Sequence, residues 1–173
     1  MQLADMEALV RAIPDFPIPG ILFRDITPLL YDKKGFAAAV DVMSEPYADK
    51  RIDRVVAIEA RGYILGAPIA YKLGAGFVPV RKPGKLPFDK INVDYALEYG
   101  TNTLEMHKDA LAKGDRVLLV DDLLATGGTA AATRKLLENL GATVVGIAVL
   151  IELTELGGRA RLAGADVRSF IKY

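Results

Sequence analysis

Residues 117–129, Val-Leu-Leu-Val-Asp-Asp-Leu-Leu-Ala-Thr-Gly-Gly-Thr, constrain the architecture more than any other stretch of the chain. Four consecutive aliphatic residues form a short buried strand, and a strand of that kind needs packing layers on both sides. Two adjacent carboxylates stand where the strand ends, and a small-residue loop then opens a helix over residues 129–140 whose inward face is Thr133, Leu136, Leu137 and Leu140. Gly127 and Gly128 let backbone approach a ligand closely, and the hydroxyls of Thr126 and Thr129 add hydrogen-bonding groups. A helix N-terminus aims unsatisfied N–H groups at one point and so forms an anion site, most often for phosphate. Asp121 and Asp122 cannot hold that same anion; they suit sugar hydroxyls or a hydrated cation. The ligand reads as a phosphorylated sugar with free hydroxyls. The plain alternative makes 125–129 a helix-entry turn capped by the two aspartates, but two acids in front of two glycines exceed what a cap requires.

The rest of the pattern alternates. Strands are predicted at 55–59, 77–81, 116–121, 144–151 and 167–171, with an apolar helix over 62–73 and a short one over 154–162. A polar stretch, 82–92, leads into a strand pair, 93–99 and 101–107, turning at Gly100. Near the start, Leu3, Met6, Leu9, Val10 and Ile13 recur at helical spacing until Pro14 stops them. Three prolines keep 14–20 irregular, 21–30 reads as extended, and Phe36, Ala39, Val40, Met43 and Tyr47 mark a second amphipathic helix with Pro46 distorting its last turn. Aliphatic strands alternating with helices predict an α/β fold, a mostly parallel sheet flanked by helices, in one domain of 173 residues. Ligands of such sheets bind at the carboxyl ends of the strands. Three polar loops begin there: 59–62, 81–85 and 121–129.

The residue inventory excludes several chemistries. Lys plus Arg equals Asp plus Glu at 22 each, so no global field favours nucleic acid or an anionic membrane. With no cysteine and one histidine there is no disulfide, thiolate or His/Cys zinc chemistry, and a cytoplasmic setting fits. Ser44 and Ser169 are the only serines and neither lies in a Gly-x-Ser-x-Gly turn; the nucleotide-triphosphatase loop is absent as well. The first residues lack the basic start and apolar run of a secretory leader, and the longest apolar run, 144–151, falls far below the roughly 20 residues a membrane helix needs. His107 reads as an ordinary polar residue near a strand end.

Three further places offer chemistry. Arg61 follows a strand directly in Glu-Ala-Arg-Gly; it is either paired with Glu59 on the surface or, favoured by its sheet-top position, aimed at a phosphate. Arg81, Lys82 and Lys85 put three positive charges into five residues beside Pro83 and Gly84. Exposed basic loops are common, yet a strand-end location suits neutralisation of an anionic leaving group. Glu98 and Tyr99 end a strand after a long polar segment, and are either solvated surface residues or part of a closing lid.

The aliphatic strand with Asp121-Asp122 and 125–129 resembles the phosphoribosyl-pyrophosphate motif of the type I phosphoribosyltransferase family. Phe-Pro-Ile-Pro-Gly-Ile-Leu-Phe-Arg-Asp-Ile-Thr-Pro at 16–28, Glu-Ala-Arg-Gly at 59–62, Arg-Lys-Pro-Gly-Lys-Leu-Pro at 81–87 and Leu-Glu-Tyr-Gly at 97–100 narrow the resemblance to its adenine phosphoribosyltransferases. The resemblance implies the type I fold with a small N-terminal hood, about residues 1–33, and transfer of ribose 5-phosphate from phosphoribosyl pyrophosphate to N9 of adenine with magnesium, giving AMP and pyrophosphate in purine salvage. It implies that Ala125, Thr126, Gly127, Gly128 and Thr129 hold the 5-phosphate, and that Asp121 and Asp122 bind the ribose hydroxyls. Arg61, Arg81, Lys82 and Lys85 would face the pyrophosphate, part of that basic segment reached across a homodimer interface. Phe23 would stack on adenine, the backbones of Leu22 and Arg24 would read its polar edge, and Leu153 would pack on it. Glu98 and Tyr99, with Arg61, form the expected catalytic group. Magnesium would be held by substrate and water rather than by direct protein ligands.

Ala60 stands where some members have serine, so no hydroxyl reaches pyrophosphate from there, and the family often joins the residues matching Glu59 and Ala60 by a cis peptide. Alternatives are a relative acting on hypoxanthine or xanthine, a regulatory protein that keeps the loop without catalysis, and a nucleotide-sensing domain. The match around Phe23, the basic loop with Glu98 and Tyr99, and the short segment before Ile21 favour the adenine enzyme.

Overall fold

The computed structural model describes residues 1–96 and 101–173. The chain forms two compact units, Met1–Val42 and Met43–Tyr173.

In the first unit, helix α1 (Leu3–Ala8) is followed by strand β1 (Arg11–Pro14), which pairs antiparallel with β2 (Leu22–Asp25). The helix expected to reach Ile13 therefore stops five residues early. Apolar spacing alone cannot tell Ile13 on a helix from Ile13 opposite Phe23 in a ladder, and the pairing with β2 prevails. The extended stretch expected over 21–30 also breaks: α2 (Thr27–Tyr31) begins with Pro28 in its first turn, and the Asp25 carboxylate accepts bonds from the Thr27 N–H and hydroxyl at 2.9 and 2.8 Å. Helix α3 (Lys33–Ser44) follows, and Pro46 turns its continuation into a 3-10 turn, Glu45–Tyr47.

The second unit is built on a five-stranded parallel sheet in the order β4-β3-β7-β8-β9, from β3 (Arg54–Ile58), β4 (Gly76–Val80), β7 (Arg116–Leu124), β8 (Thr143–Glu152) and β9 (Val167–Lys172). Alternation along β3 separates two layers. Ala57 meets helix α4 (Arg61–Leu73) at Gly66, whereas Val56 and Ile58 join Leu119, Ile147 and Val149 under helix α5 (Gly128–Asn139), represented there by Leu136 and Leu137. Val55 to Ile58 and Val117 to Val120 are almost wholly inaccessible, which is why these runs read as continuous apolar stretches rather than alternating ones. Burying a side chain of this size contributes about 1.5–3 kcal/mol. The antiparallel hairpin β5 (Lys90–Ala96) and β6 (Thr101–His107) forms a separate small sheet. The short helix expected over 154–162 is two 3-10 turns, Thr154–Leu156 and Gly158–Leu162, because Gly157 between them adopts φ 63°.

Strand order reverses between β3 and β7. A crevice opens at such a switch point beyond the strand ends, and there α4 leaves β3 while α5 leaves β7. Among the described residues no helix is long and apolar enough to cross a membrane.

Candidate active site

Over this switch point lies a cavity of about 330 Å³. Glu59 and Arg61 come to it from the β3–α4 junction, Asp121 through Ala130 from β7 and the start of α5, Lys82 from the basic loop, and Tyr95 and Asn102 from the hairpin. The peptide joining Glu59 to Ala60 is cis, and Arg61 opens α4 immediately after it.

Strand β7 runs to Leu124, not to residue 121, so the two aspartates lie within the strand rather than at its end. Asp121, Leu123 and Leu124 keep their register with Val149, Ile151 and Glu152, because the aliphatic pair after the acids continues the ladder on β8. The loop is thereby only three residues long before α5. Gly127 caps the helix at φ 79°, a left-handed conformation that disfavours other residues, and the first intrahelical bond runs from Ala131 N–H to the Gly127 carbonyl at 2.9 Å. The N–H groups of Gly128, Thr129 and Ala130 precede that bond, and all three residues line the cavity. A helix start of this kind can offer its free N–H groups to an anion, and Thr126 and Thr129 line the same cavity.

The acids face a different task. Asp122 is buried, with its Oδ2 2.6 Å from Arg61 Nε. Its own N–H donates to Asp121 Oδ1 at 2.9 Å. Burial, and then the negative charge of Asp122, push the Asp121 carboxyl well above the usual carboxylate range. Asp122, paired with the Arg61 guanidinium, and Asp121, which holds its proton more tightly than a free carboxyl, both line the cavity and offer oxygens that ligand hydroxyls can meet.

Arg61 thus pairs with Asp122; the surface pair with Glu59 weighed from the sequence goes to Arg81 instead. Arg81 Nε meets Glu59 Oε2 at 2.8 Å, Arg81 Nη1 donates to the Lys85 carbonyl at 3.2 Å, and the Lys82 N–H donates to Glu59 Oε1 at 2.8 Å. Burial works to raise the Glu59 pKa, but the Lys82 N–H and the bond and charge of Arg81 outweigh it, and the carboxyl lies below its ordinary value. Glu105, buried in β6, clamps the same loop by accepting the Gly84 N–H at 3.0 Å. Of the three basic residues, Lys82 lines the cavity, while Arg81 and Lys85 are outside its lining.

Leu153 sits just past β8, its N–H bonded to the Leu124 carbonyl at 2.9 Å, and does not line the cavity. Leu22, Phe23 and Arg24 lie in β2 of the first unit, where Phe23 packs edge-on against Phe16 with ring centroids 5.1 Å apart. Glu98 and Tyr99 fall outside the described residues. Sequence reading missed Tyr95 and Asn102, which are cross-strand partners in the hairpin and both line the cavity; the Thr129 hydroxyl reaches the Tyr95 hydroxyl at 3.3 Å. It also missed Gly158, whose backbone lies against that of Ala125 to Gly127. The only signal for either was a strand pair of unknown register and one glycine among many.

A magnesium ion must be weighed against this donor set. Among the described residues no group of three or more acidic, histidine or cysteine side chains could hold a metal. Two adjacent carboxylates in the cavity do fit a hydrated hard cation that keeps most of its waters.

Comparison with known proteins fits this geometry. A family model described as a phosphoribosyl transferase domain matches residues 29–170. The adenine phosphoribosyltransferase of Solibacter usitatus (strain Ellin6076) is 56% identical over 171 residues, covering 99% of this chain and 99% of that protein. The crystal structure of adenine phosphoribosyltransferase from Thermoanaerobacter pseudethanolicus superposes with a TM-score of 0.96 at 52% identity, over 99% of this chain and 100% of that one. A Giardia lamblia structure complexed with 9-deazaadenine gives 0.94 at 40% identity, over 100% and 98%.

Proposed function

The chain belongs to the phosphoribosyltransferase family, among its adenine phosphoribosyltransferases, and on that premise we propose how its residues divide the reaction. The activity is a pentosyl transfer of purine salvage: adenine and 5-phosphoribosyl 1-pyrophosphate give AMP and pyrophosphate. The C1–oxygen bond to pyrophosphate breaks, the C1–N9 bond forms, and N9 gives up its proton.

The observation that carries the assignment of roles is the meeting, in one cavity, of the α5 N-terminus, Asp121 with Asp122, and Arg61. Ala125 to Thr129 take the 5-phosphate on backbone N–H groups and threonine hydroxyls. Asp121 and Asp122 take the ribose hydroxyls and fix the ring, so that C1 is presented to the base at the right distance. As the bond breaks, negative charge grows on the pyrophosphate, and Arg61 and Lys82 face it, with Arg81 and Lys85 completing the basic segment. Asp121 and Asp122 would hold a magnesium ion through water, and such an ion would supply positive charge to stabilise the leaving group.

For the base, Phe23 offers an aromatic face, Leu22 and Arg24 offer backbone polar groups, and Leu153 an apolar contact. Glu98 serves as acid/base at N7 or N9 with Tyr99 beside it; wild-type kcat across pH in Glu98→Gln would remove that role. We further propose that residues 1–33 act as a hood within a single phosphoribosyltransferase domain, and that the protein works as a cytoplasmic homodimer without nucleic acid or membrane.

The testing experiment is AMP formation with magnesium and phosphoribosyl pyrophosphate, offering adenine, hypoxanthine and guanine in turn. Adenine is expected to be used far better than the others, and Asp122→Asn to be severely impaired. Equal use of hypoxanthine, or full activity of the variant, contradicts the scheme.

A further inference from the structure

Gly158 is buried directly on the phosphate loop. A Cβ built on it would overlap the Ala125 carbonyl and stand 2.8 Å from the Gly127 nitrogen, and a Cβ on Gly127 would in turn overlap the Gly158 carbonyl. The two backbones touch with no side chain between them. The next residue, Arg159, is anchored at four points. Its Nε and Nη2 donate to Glu152 Oε1 and Oε2 at 3.0 and 2.6 Å, Nη2 also reaches the Ser169 hydroxyl at 3.1 Å, and Nη1 donates to the Val167 carbonyl at 2.7 Å. Ser169 donates its hydroxyl to Glu152 Oε2 as well.

Glu152 is only 5% exposed, and it pairs across the sheet with Leu124, the residue just before the loop. One ion pair therefore ties the strand that launches the loop to the turn that backs it. Glu152 is buried but the Arg159 side chain is 44% exposed, and a partly exposed pair adds only about 1 kcal/mol or less, so stability alone does not account for it. Fixed geometry does, because a bidentate guanidinium–carboxylate contact tolerates little displacement.

We propose that Arg159, Glu152 and Ser169 form a latch that presses Gly158 onto the phosphate loop and so sets the spacing of its phosphate-binding amides. These are positioning residues that act through Gly158. The proposal rests on the assignment of the loop to the 5-phosphate, and its test separates the two.

Binding of AMP and of adenosine is measured by calorimetry, since their affinity ratio isolates the phosphate contribution. The proteins are wild type, Arg159→Met, Arg159→Lys, Gly158→Ala and the double apolar variant Glu152→Leu/Arg159→Leu, which leaves no buried charge unpaired. In Arg159→Met, Gly158→Ala and the double variant the AMP-to-adenosine ratio is expected to fall by about ten- to a hundred-fold while adenosine affinity holds, and Arg159→Lys is expected to recover part of it. Thermal unfolding identifies the variants that are folded. A wild-type preference for AMP that every folded variant keeps, or a parallel loss of adenosine affinity, overturns the latch alone. Absence of any AMP preference in the wild type overturns the phosphate assignment and the latch with it.

Discussion

Arg61 and Asp122 are counter-ions, Nε to Oδ2 at 2.6 Å, in the cavity where one is proposed to meet pyrophosphate and the other ribose. On those proposed roles, substrate binding exchanges this internal pair for a hydroxyl at the carboxylate and a phosphate at the guanidinium. The exchange leaves Asp122 with a hydrogen-bond donor and Arg61 with an anion, so neither polar group is left without a partner. Arg61→Met is expected to lower kcat/KM for phosphoribosyl pyrophosphate by about 10²–10³-fold. Arg61→Lys is expected to recover part of the loss, since an ammonium keeps the charge but not the planar fork. Steady-state kinetics with varied phosphoribosyl pyrophosphate measure both.

Asp121 connects activity to stability. Its folded pKa lies above the unfolded value, so the folded state binds the proton more tightly. The contribution to stability is fully present below about pH 3.9 and is lost as pH rises through the folded pKa, leaving a net cost near neutrality. Asp121→Asn is therefore expected to raise the thermal midpoint at about pH 7, with a gain that shrinks on acidification, while weakening ribose binding. Unfolding curves at a series of pH values check the sign; a gain that grows with acidity is the contrary result.

Glu59 shows the opposite linkage. Its pKa is depressed, so its contribution is present above the unfolded pKa and is lost as pH falls through the folded one. Glu59→Gln is expected to cost about 1 kcal/mol or less near neutral pH, with the difference from wild type vanishing in acid. The same change loosens Arg81 and the Lys82 backbone, so the KM for phosphoribosyl pyrophosphate rises while that for adenine does not. Denaturant titration and two-substrate kinetics read the two effects.

Gly127→Ala places a side chain where φ is 79° and where Gly158 already lies. The expected penalty is about 1–3 kcal/mol in stability, together with loss of phosphate affinity. Chemical denaturation and AMP binding measure the two.

The elements that position this site were largely legible because their patterns are local. Val117 to Val120 followed by two acids and two glycines can be read as strand, turn and helix with no knowledge of the rest of the chain. The parallel sheet follows from several such aliphatic runs alternating with helices. Where reading failed, a distant partner decided. Arg11–Pro14 became a strand because Leu22–Asp25 lies alongside it, and β7 runs past its acids because β8 continues to pair with Leu123 and Leu124. Asp25 and Pro28 around Thr27 do carry a local helix-start signal, which the apolar residues of 21–30 mask. Tyr95 and Asn102 come to the cavity through the register of the hairpin, and Gly158 meets the 125–127 loop through backbone contact, neither of which any spacing along the chain encodes.

The most direct measurement is a crystal structure of the protein with AMP. The account predicts the phosphate on the backbone amides of 126–129 and the ribose hydroxyls on Asp121 and Asp122, with the Arg61–Asp122 pair opened. AMP bound elsewhere, or oriented with its base over Gly127 and Gly128, contradicts it.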